Sequence, residues 1–176
     1  MKLSLQVATA AAIVLALTAC SGPTSPSGSL TLAQTKSQTQ LLRIEAAQRL
    51  IDGTDESVAE QQDFSAACKS GSEDPDGLYR AWHSTLLAAV PKDSAIGVDQ
   101  FVGALATSFA EDGWSLTESH GDVKITTMTR TDSFVILTFS STEGAGDGAS
   151  VLIEATGPCV LTAGPDSDEV TKLESL

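Results

Sequence analysis

Few side chains in this chain are suited to chemistry. There are two histidines, His83 and His120, and three cysteines, Cys20, Cys68 and Cys159. Carboxylates fall in loop-like stretches at Asp74, Asp76, Glu143, Asp147, Asp166, Asp168 and Glu169. An imidazole works as a general base or zinc ligand only beside placed partners. His83 lies between Trp82 and Ser84 in a strand-like run, and His120 precedes Gly121 in a turn-like one. An ordinary polar position accounts for each. Two carboxylates across a cleft would suit glycoside chemistry, and a cluster of loop oxygens would suit calcium. No EF-hand spacing is present, so solvated loop charge is the simpler reading. The chain has no Gly-x-Ser-x-Gly elbow, His-Glu-x-x-His pair or phosphate-binding glycine loop. Trp82 and Trp114 would either line a groove or anchor a core, and the position of Trp114 directly after a helix favours the core. No catalytic residue, metal ligand or cofactor is therefore assigned.

The first twenty residues carry the most specific pattern. Lys2 precedes an apolar run from Val7 to Leu17, followed by Thr18, Ala19 and Cys20. The run has the length of a signal-peptide core and is short of the ~20 residues that a membrane-spanning helix needs. The small residues before Cys20 leave the backbone open to a peptidase. This stretch resembles the lipobox of bacterial lipoproteins, in which Leu, two small or polar residues and Cys close the signal peptide. The resemblance implies diacylglyceryl transfer to the Cys20 sulfur, cleavage before Cys20, and acylation of the new amine. The expected partner is then the membrane, reached through acyl chains on Cys20, with the protein on the extracytoplasmic face of the cell membrane.

Charge narrows the other partners. The formal net charge is −13, from 23 acidic and 10 basic residues. Loss of Lys2 on cleavage makes the mature chain more negative still. Such a surface repels nucleic-acid phosphate and anionic headgroups, so no nucleic acid is expected. With Cys20 taken by lipid, Cys68 and Cys159 form an even pair in an exported domain, which reads as a disulfide. A metal site is the alternative, but it lacks further His or Cys at ligand spacing.

The elements follow from periodicity and punctuation. Residues 1–19 are the signal peptide. Residues 20–29 are the lipidated cysteine and a Pro/Ser/Gly tether, residues 30–164 a single domain, and residues 165–176 an acidic flexible tail. Leu30 to Asp52 is a helix whose expected stripe is Leu41, Ile44, Ala47 and Ile51, flanked by Leu42, Ala46 and Leu50. Its polar front half, Leu32 to Gln40, reads as fraying or stalk-like. Asp63 to Cys68 is a short strand, residues 70–77 a loop, and Leu78 to Val90 a strand stopped by Pro91. Ile96 to Asp112 is the clearest helix, with Val98, Phe101, Val102, Leu105 and Phe109 on one face and Gly113 ending it. From Trp114 the period becomes two, through strands broken near His120-Gly121, Thr131-Asp132 and Gly144 to Gly148. The expectation is an α+β fold: a two-layer sandwich of two main helices on an antiparallel sheet of about five to six strands.

The layout also resembles small actinobacterial lipoproteins. The matching pieces are Cys68, Tyr79-Arg80-Ala81-Trp82, Gly113-Trp114 and Gly157-Pro158-Cys159. That resemblance implies the fold and the Cys68–Cys159 bond, and no activity. The functional expectation is a membrane-anchored, non-enzymatic binding or surface protein, monomeric, with an unidentified protein or ligand partner. The alternatives are a carrier holding an apolar ligand between helices and sheet, marked by an enclosed pocket, and an enzyme, marked by a cleft where a histidine meets a carboxylate or hydroxyl.

Overall fold

The computed structural model describes residues 30–52, 58–90, 94, 96–120, 125–143 and 149–176. The expected lipobox, Cys20 and tether, and residues 121–124 and 144–148, where turns are expected, lie outside the described residues. The chain folds as α1 Leu32–Asp52, β1 Val58–Ala67, β2 Tyr79–Val90, α2 Val98–Glu111, β3 Ser115–His120, β4 Ile125–Thr129, β5 Ile136–Glu143, β6 Ala149–Thr156, β7 Val160–Leu161 and α3 Asp168–Glu174. All strand pairings are antiparallel, in the order β1-β2-β6-β5-β4-β3, with β7 also pairing β2. The fold is α+β, with three helices and a seven-stranded antiparallel sheet among the described residues. The seventh strand, beyond the five to six expected, is the two-residue β7.

Strands β3 to β6 form a meander, and the last of them returns to pair with β2. α1 lies over β2 and β6, and α2 over β5 and β6. The core side of the sheet is built by alternation: Trp82, Leu86, Ala88 and Val90 from β2, Val151, Ile153 and Ala155 from β6, Leu137 and Phe139 from β5, and Met128 from β4. The expected stripe of α2 is buried in full. Its end is a Schellman turn. Gly113 takes φ 83°, the Gly113 N–H donates to Ala110 O and the Trp114 N–H to Phe109 O, each at 3.1 Å. The accompanying apolar contact is Trp114 edge-on to Phe109, with ring centroids 5.7 Å apart.

The face of α1 differs from the expected one. Leu41 and Ile44 are 65 % and 46 % exposed, whereas Leu32, Thr35, Lys36, Thr39, Arg43, Ala46, Ala47 and Leu50 are buried. The polar front half is therefore packed and not frayed. The threonines are buried at low cost because their hydroxyls turn back onto the helix: Thr35 Oγ1 donates to Thr31 O at 3.0 Å and Thr39 Oγ1 to Lys36 O at 2.9 Å. Each then offers a methyl group to the sheet. The helix start is a capping box. The Thr31 hydroxyl accepts from the Gln34 N–H, and the Gln34 side chain accepts from the Thr31 N–H.

Residues 165–176, expected as a loose acidic tail, carry α3. Ser167 caps it by accepting from the Val170 N–H, and Asp168 and Glu169 lie in the first turn, where the helix dipole favours acids. Val170 is fully buried with Leu32, Trp82 and Val160. Composition hid this helix because one buried valine anchors a stretch of otherwise solvated residues. His120, expected in a turn, is the last residue of β3 and pairs with Ile125.

Phe109 is 0 % exposed and Leu41 is 65 % exposed. Phe109→Ala is expected to lower stability by about 3–5 kcal/mol in urea melts. Leu41→Ala should change it by less than about 0.5 kcal/mol. Similar losses for the two variants would return Leu41 to the buried stripe.

Candidate binding face

The alternate side chains of β1, β2, β6 and β5 point away from the helical core. Register places Phe64 opposite His83, His83 opposite Thr156, and Thr156 opposite Ile136. One step along, Thr85 faces Glu154 and Glu154 faces Thr138. Paired residues share a face, so Phe64, His83, Glu154, Thr156 and Ile136 form one cluster on this side. Phe64 and Ile136 are exposed, while His83, Glu154 and Thr156 are half-buried.

His83 is held on three sides. Its Nδ1 lies 2.8 Å from Glu154 Oε1, and its ring stacks on Phe64 with centroids 5.1 Å apart and planes 7° from parallel. The Thr156 hydroxyl donates to Glu154 Oε1 at 3.2 Å and lies 3.3 Å from the same Nδ1. With the carboxylate as acceptor, Nδ1 carries the proton. A histidine has therefore met a carboxylate and a hydroxyl, but not in the order of a nucleophile–base–acid relay. In such a relay the hydroxyl and the acid occupy opposite ring nitrogens. Here both crowd Nδ1, and the threonine hydroxyl is spent on Glu154.

The Glu154 carboxyl is held below its ordinary value, first by the His83 hydrogen bond, against an opposing push from burial. The charge on His83 and the Thr156 hydrogen bond lower it further. A carboxyl lowered by folding adds stability above its unfolded value and loses it as pH falls through the folded one.

The other sequence candidates are scattered. Asp74 is buried, and its two oxygens accept from the N–H groups of Leu78 and Tyr79 at 2.9 and 2.6 Å, closing the β1–β2 loop. Asp76 and Asp166 lie in turns, and Asp168 and Glu169 open α3. Asp147 and the Glu143 side chain are outside the described residues. Among the described residues no three His, Cys, Asp or Glu side chains gather to hold a metal. Trp82 and Trp114 are both buried. The Lys36 ammonium lies 4.9 Å above Trp82, and the Arg130 guanidinium 5.2 Å from Trp114. Cys68, directly after β1, and Cys159, directly before β7, are joined by a disulfide with Cα atoms 5.8 Å apart.

Two surface cavities lie beside α1. One of about 290 Å³ is lined by Leu41, Leu42, Phe134 and Val135 and by the polar Gln38, Arg130, Asp132 and Ser133, the other of about 230 Å³ by residues that include Arg49, Leu50 and Phe101. Both fall short of the ~300–1,000 Å³ usual for small-molecule sites, and neither touches His83. Among the described residues no helix is long and apolar enough to cross a membrane.

Sequence reasoning left several groupings unread. His83 and Glu154 sit at alternating strand positions, a visible signal, but they are 71 positions apart in the chain, and their contact needs β6 to pair with β2, which nothing in the intervening sequence indicates. Arg49 joins the two long helices: it donates to Ser108 O at 2.9 Å, pairs with Glu45 and Asp112, and lies 4.0 Å over the Phe109 ring. No protein-family model matches the chain, and no curated protein or solved structure is significantly similar to it.

Two outcomes are expected here. Glu154→Gln should cost about 0.2–1 kcal/mol at pH 7, in the range of a partly exposed ion pair. That difference should shrink as pH falls below the ordinary carboxyl value of 4.5. Urea melts at pH 7 and pH 3 check it, and a difference unchanged between them would dismiss the pair. Replacing Cys68 and Cys159 together by Ser reopens a 91-residue separation. The chain-entropy model puts the loss at up to ~4–5 kcal/mol, so the melting temperature should fall substantially. Free thiols at both positions in protein isolated without reductant would remove the bond from the account.

Proposed function

We propose that this chain is a lipoprotein, anchored by acyl chains on Cys20 at the extracytoplasmic face of the cell membrane. It acts as a monomeric, non-enzymatic binding protein. The sequence Leu17-Thr18-Ala19-Cys20 after an apolar run carries the anchoring half of this reading. The binding half rests on the cluster of Phe64, His83, Glu154 and Thr156, which stands on the side of the sheet away from the helical core. We take the architecture to be a two-layer sandwich, supported by α1 and α2 both meeting the same alternating set of sheet side chains. That arrangement leaves the other side of the sheet for contact with a partner.

A second reading has one observation in its favour. The cavity beside α1 has one apolar wall, of Leu41, Leu42, Phe134 and Val135, that suits a small acyl or aromatic group, and its other lining residues are Gln38, Arg130, Asp132 and Ser133. Its size places it behind the binding-face reading, since a carrier encloses most of its ligand.

Two acyl chains hold a protein stably on a bilayer, whereas one holds it marginally. Cys20→Ala is expected to abolish the lipid mass at the mature N-terminus, to block processing, and to leave the folded domain's melting temperature unchanged. Intact-mass spectrometry of protein from its own membranes reads this directly. A wild-type chain that begins elsewhere and carries no lipid would overturn the anchor.

A further inference from the structure

β1 is one edge of the sheet. The Cys68 N–H donates to Tyr79 O at 3.1 Å, and the same register continues through Ala66–Ala81, Phe64–His83 and Gln62–Thr85. In an antiparallel pair, hydrogen-bonded and non-hydrogen-bonded residue pairs alternate. The backbone groups of Gln61, Asp63 and Ser65 are therefore turned away from β2, off the edge of the sheet.

At Ser65 both outward groups are occupied by side chains. Glu174 Oε1 accepts from the Ser65 N–H at 3.0 Å and from its hydroxyl at 2.6 Å. Arg80 Nη2 donates to Ser65 O at 2.7 Å, and Arg80 Nε donates to the Ser65 hydroxyl at 2.8 Å. A carboxylate oxygen and a guanidinium N–H thus stand where the C=O and N–H of an added strand would stand. The carboxylate comes from α3, a seven-residue helix with one buried side chain, Val170. The helix is further tied by Lys36 Nζ, which donates to Leu173 O at 2.6 Å, and by Leu173, which packs half-buried against the Trp82 cluster. Among the described residues nothing takes the outward N–H groups of Gln61 or Asp63. Long edges with unpaired backbone groups are templates for strand addition unless covered.

We propose that β1 is a strand-addition site, that α3 is its displaceable cover, and that the partner is an extended basic segment of another protein. Charge selects that partner over a second copy of this chain. Glu60 on β1 and Glu174, which reaches Ser65, are exposed, and Asp168 and Glu169 are exposed in the first turn of α3. Of the nearby cations, Arg43 is engaged with Asp63 at 3.6 Å and Arg80 with Ser65, and Lys172 of α3 is exposed. Two copies meeting edge to edge would bring these carboxylates together on chains of net charge −13. Lysines or arginines flanking an incoming strand meet them favourably. While α3 is docked the competent state is a minor one, so apparent affinity is reduced by the fraction that is open. This proposal deepens the reading of the chain as a binding protein and does not depend on the lipid anchor.

The test uses the full chain in detergent and two ten-residue probe peptides, one alternating Thr and Lys, the other alternating Thr and Glu. Glu174→Ala should bind the Thr–Lys peptide at least about tenfold more tightly than wild type. Hydrogen exchange should slow at Gln61 and Asp63 when the peptide binds. Gln61→Pro removes an outward N–H without breaking the ladder to β2, so it should abolish binding and keep the circular dichroism of wild type. Cys20→Ala should bind like wild type, which separates a failure here from a failure of the anchor. The proposal is overturned if neither chain binds the Thr–Lys peptide, if Glu174→Ala leaves affinity unchanged, or if a folded Gln61→Pro chain still binds. Equal binding of the Thr–Glu peptide, or a Glu174→Ala dimer protected at β1, would overturn the choice of partner. Should Gln61→Pro lose its fold, the Glu174→Ala comparison decides.

Discussion

A Cβ added at Gly157 would lie 1.9 Å from the Thr35 methyl carbon, so α1 approaches the end of β6 more closely than any other residue type allows. That approach fixes the height of α1 above the sheet. Small and β-branched residues on its lower face, Thr35, Thr39, Ala46 and Ala47, are what the remaining space admits. Longer side chains on the same face have to lie along the sheet or reach past it. Lys36 extends to the Leu173 carbonyl and lies over Trp82. Arg43 extends to the Thr85 carbonyl at 3.4 Å and to Asp63. Arg49 extends the other way, to α2. One close contact therefore sets the lever arms by which α1 holds β1, α2 and α3.

These arms differ in chemistry. Toward α2 the contact is mixed, with the Arg49 guanidinium over Phe109 and its hydrogen bonds at the helix end. Toward β1 it is polar and buried. Ser84 donates to Asp63 at 2.5 Å, and Arg43 Nε has no partner among the described residues. Buried polar groups of this kind fix geometry more than they add stability, since each leaves water at a cost that its partners only partly offset. The apolar core proper lies between α1, α2 and the middle of the sheet. The β1 and α3 end is held instead by a disulfide, a few charge-assisted hydrogen bonds and the small cluster around Trp82. Local opening is therefore expected first at that end, where few apolar contacts oppose it.

What the sequence made legible follows the same division. α2 was readable because its stripe is purely apolar and closes on Gly113. β6 is readable because core and solvent positions alternate, and β2 because its strand-favouring run stops at Pro91. The buried face of α1 was misread because hydropathy counts a threonine as polar wherever its hydroxyl points. Thr35 and Thr39 turn theirs into the helix, and the more apolar Leu41 and Ile44 are left outside. α3 was missed because its sequence is dominated by acids, although Ser167 followed by Asp168 and Glu169 is a helix-start signal. The Cys68–Cys159 bond is legible from parity and expected compartment, and the resemblance to small actinobacterial lipoproteins implies it as well. The His83–Glu154 contact and the Glu174–Ser65 contact were not readable, because both depend on strand and helix neighbours far apart in the chain.

The two ends of the sheet would also stand differently toward a bilayer. Leu30, the first described residue, packs with Leu32, Trp82, Val160 and Val170. Under the anchor reading only nine residues, Ser21–Ser29, separate Cys20 from that cluster. A Gly/Ser-rich stretch of that length spans ~15–18 Å. The Trp82 cluster includes α3, and α3 covers Ser65 on the edge of β1. The covered edge would then be the membrane-proximal end of the domain, and the meander of β3 to β5 would point away. A partner segment held at the same membrane would meet β1 at a raised local concentration, and that would offset part of the cost of undocking α3.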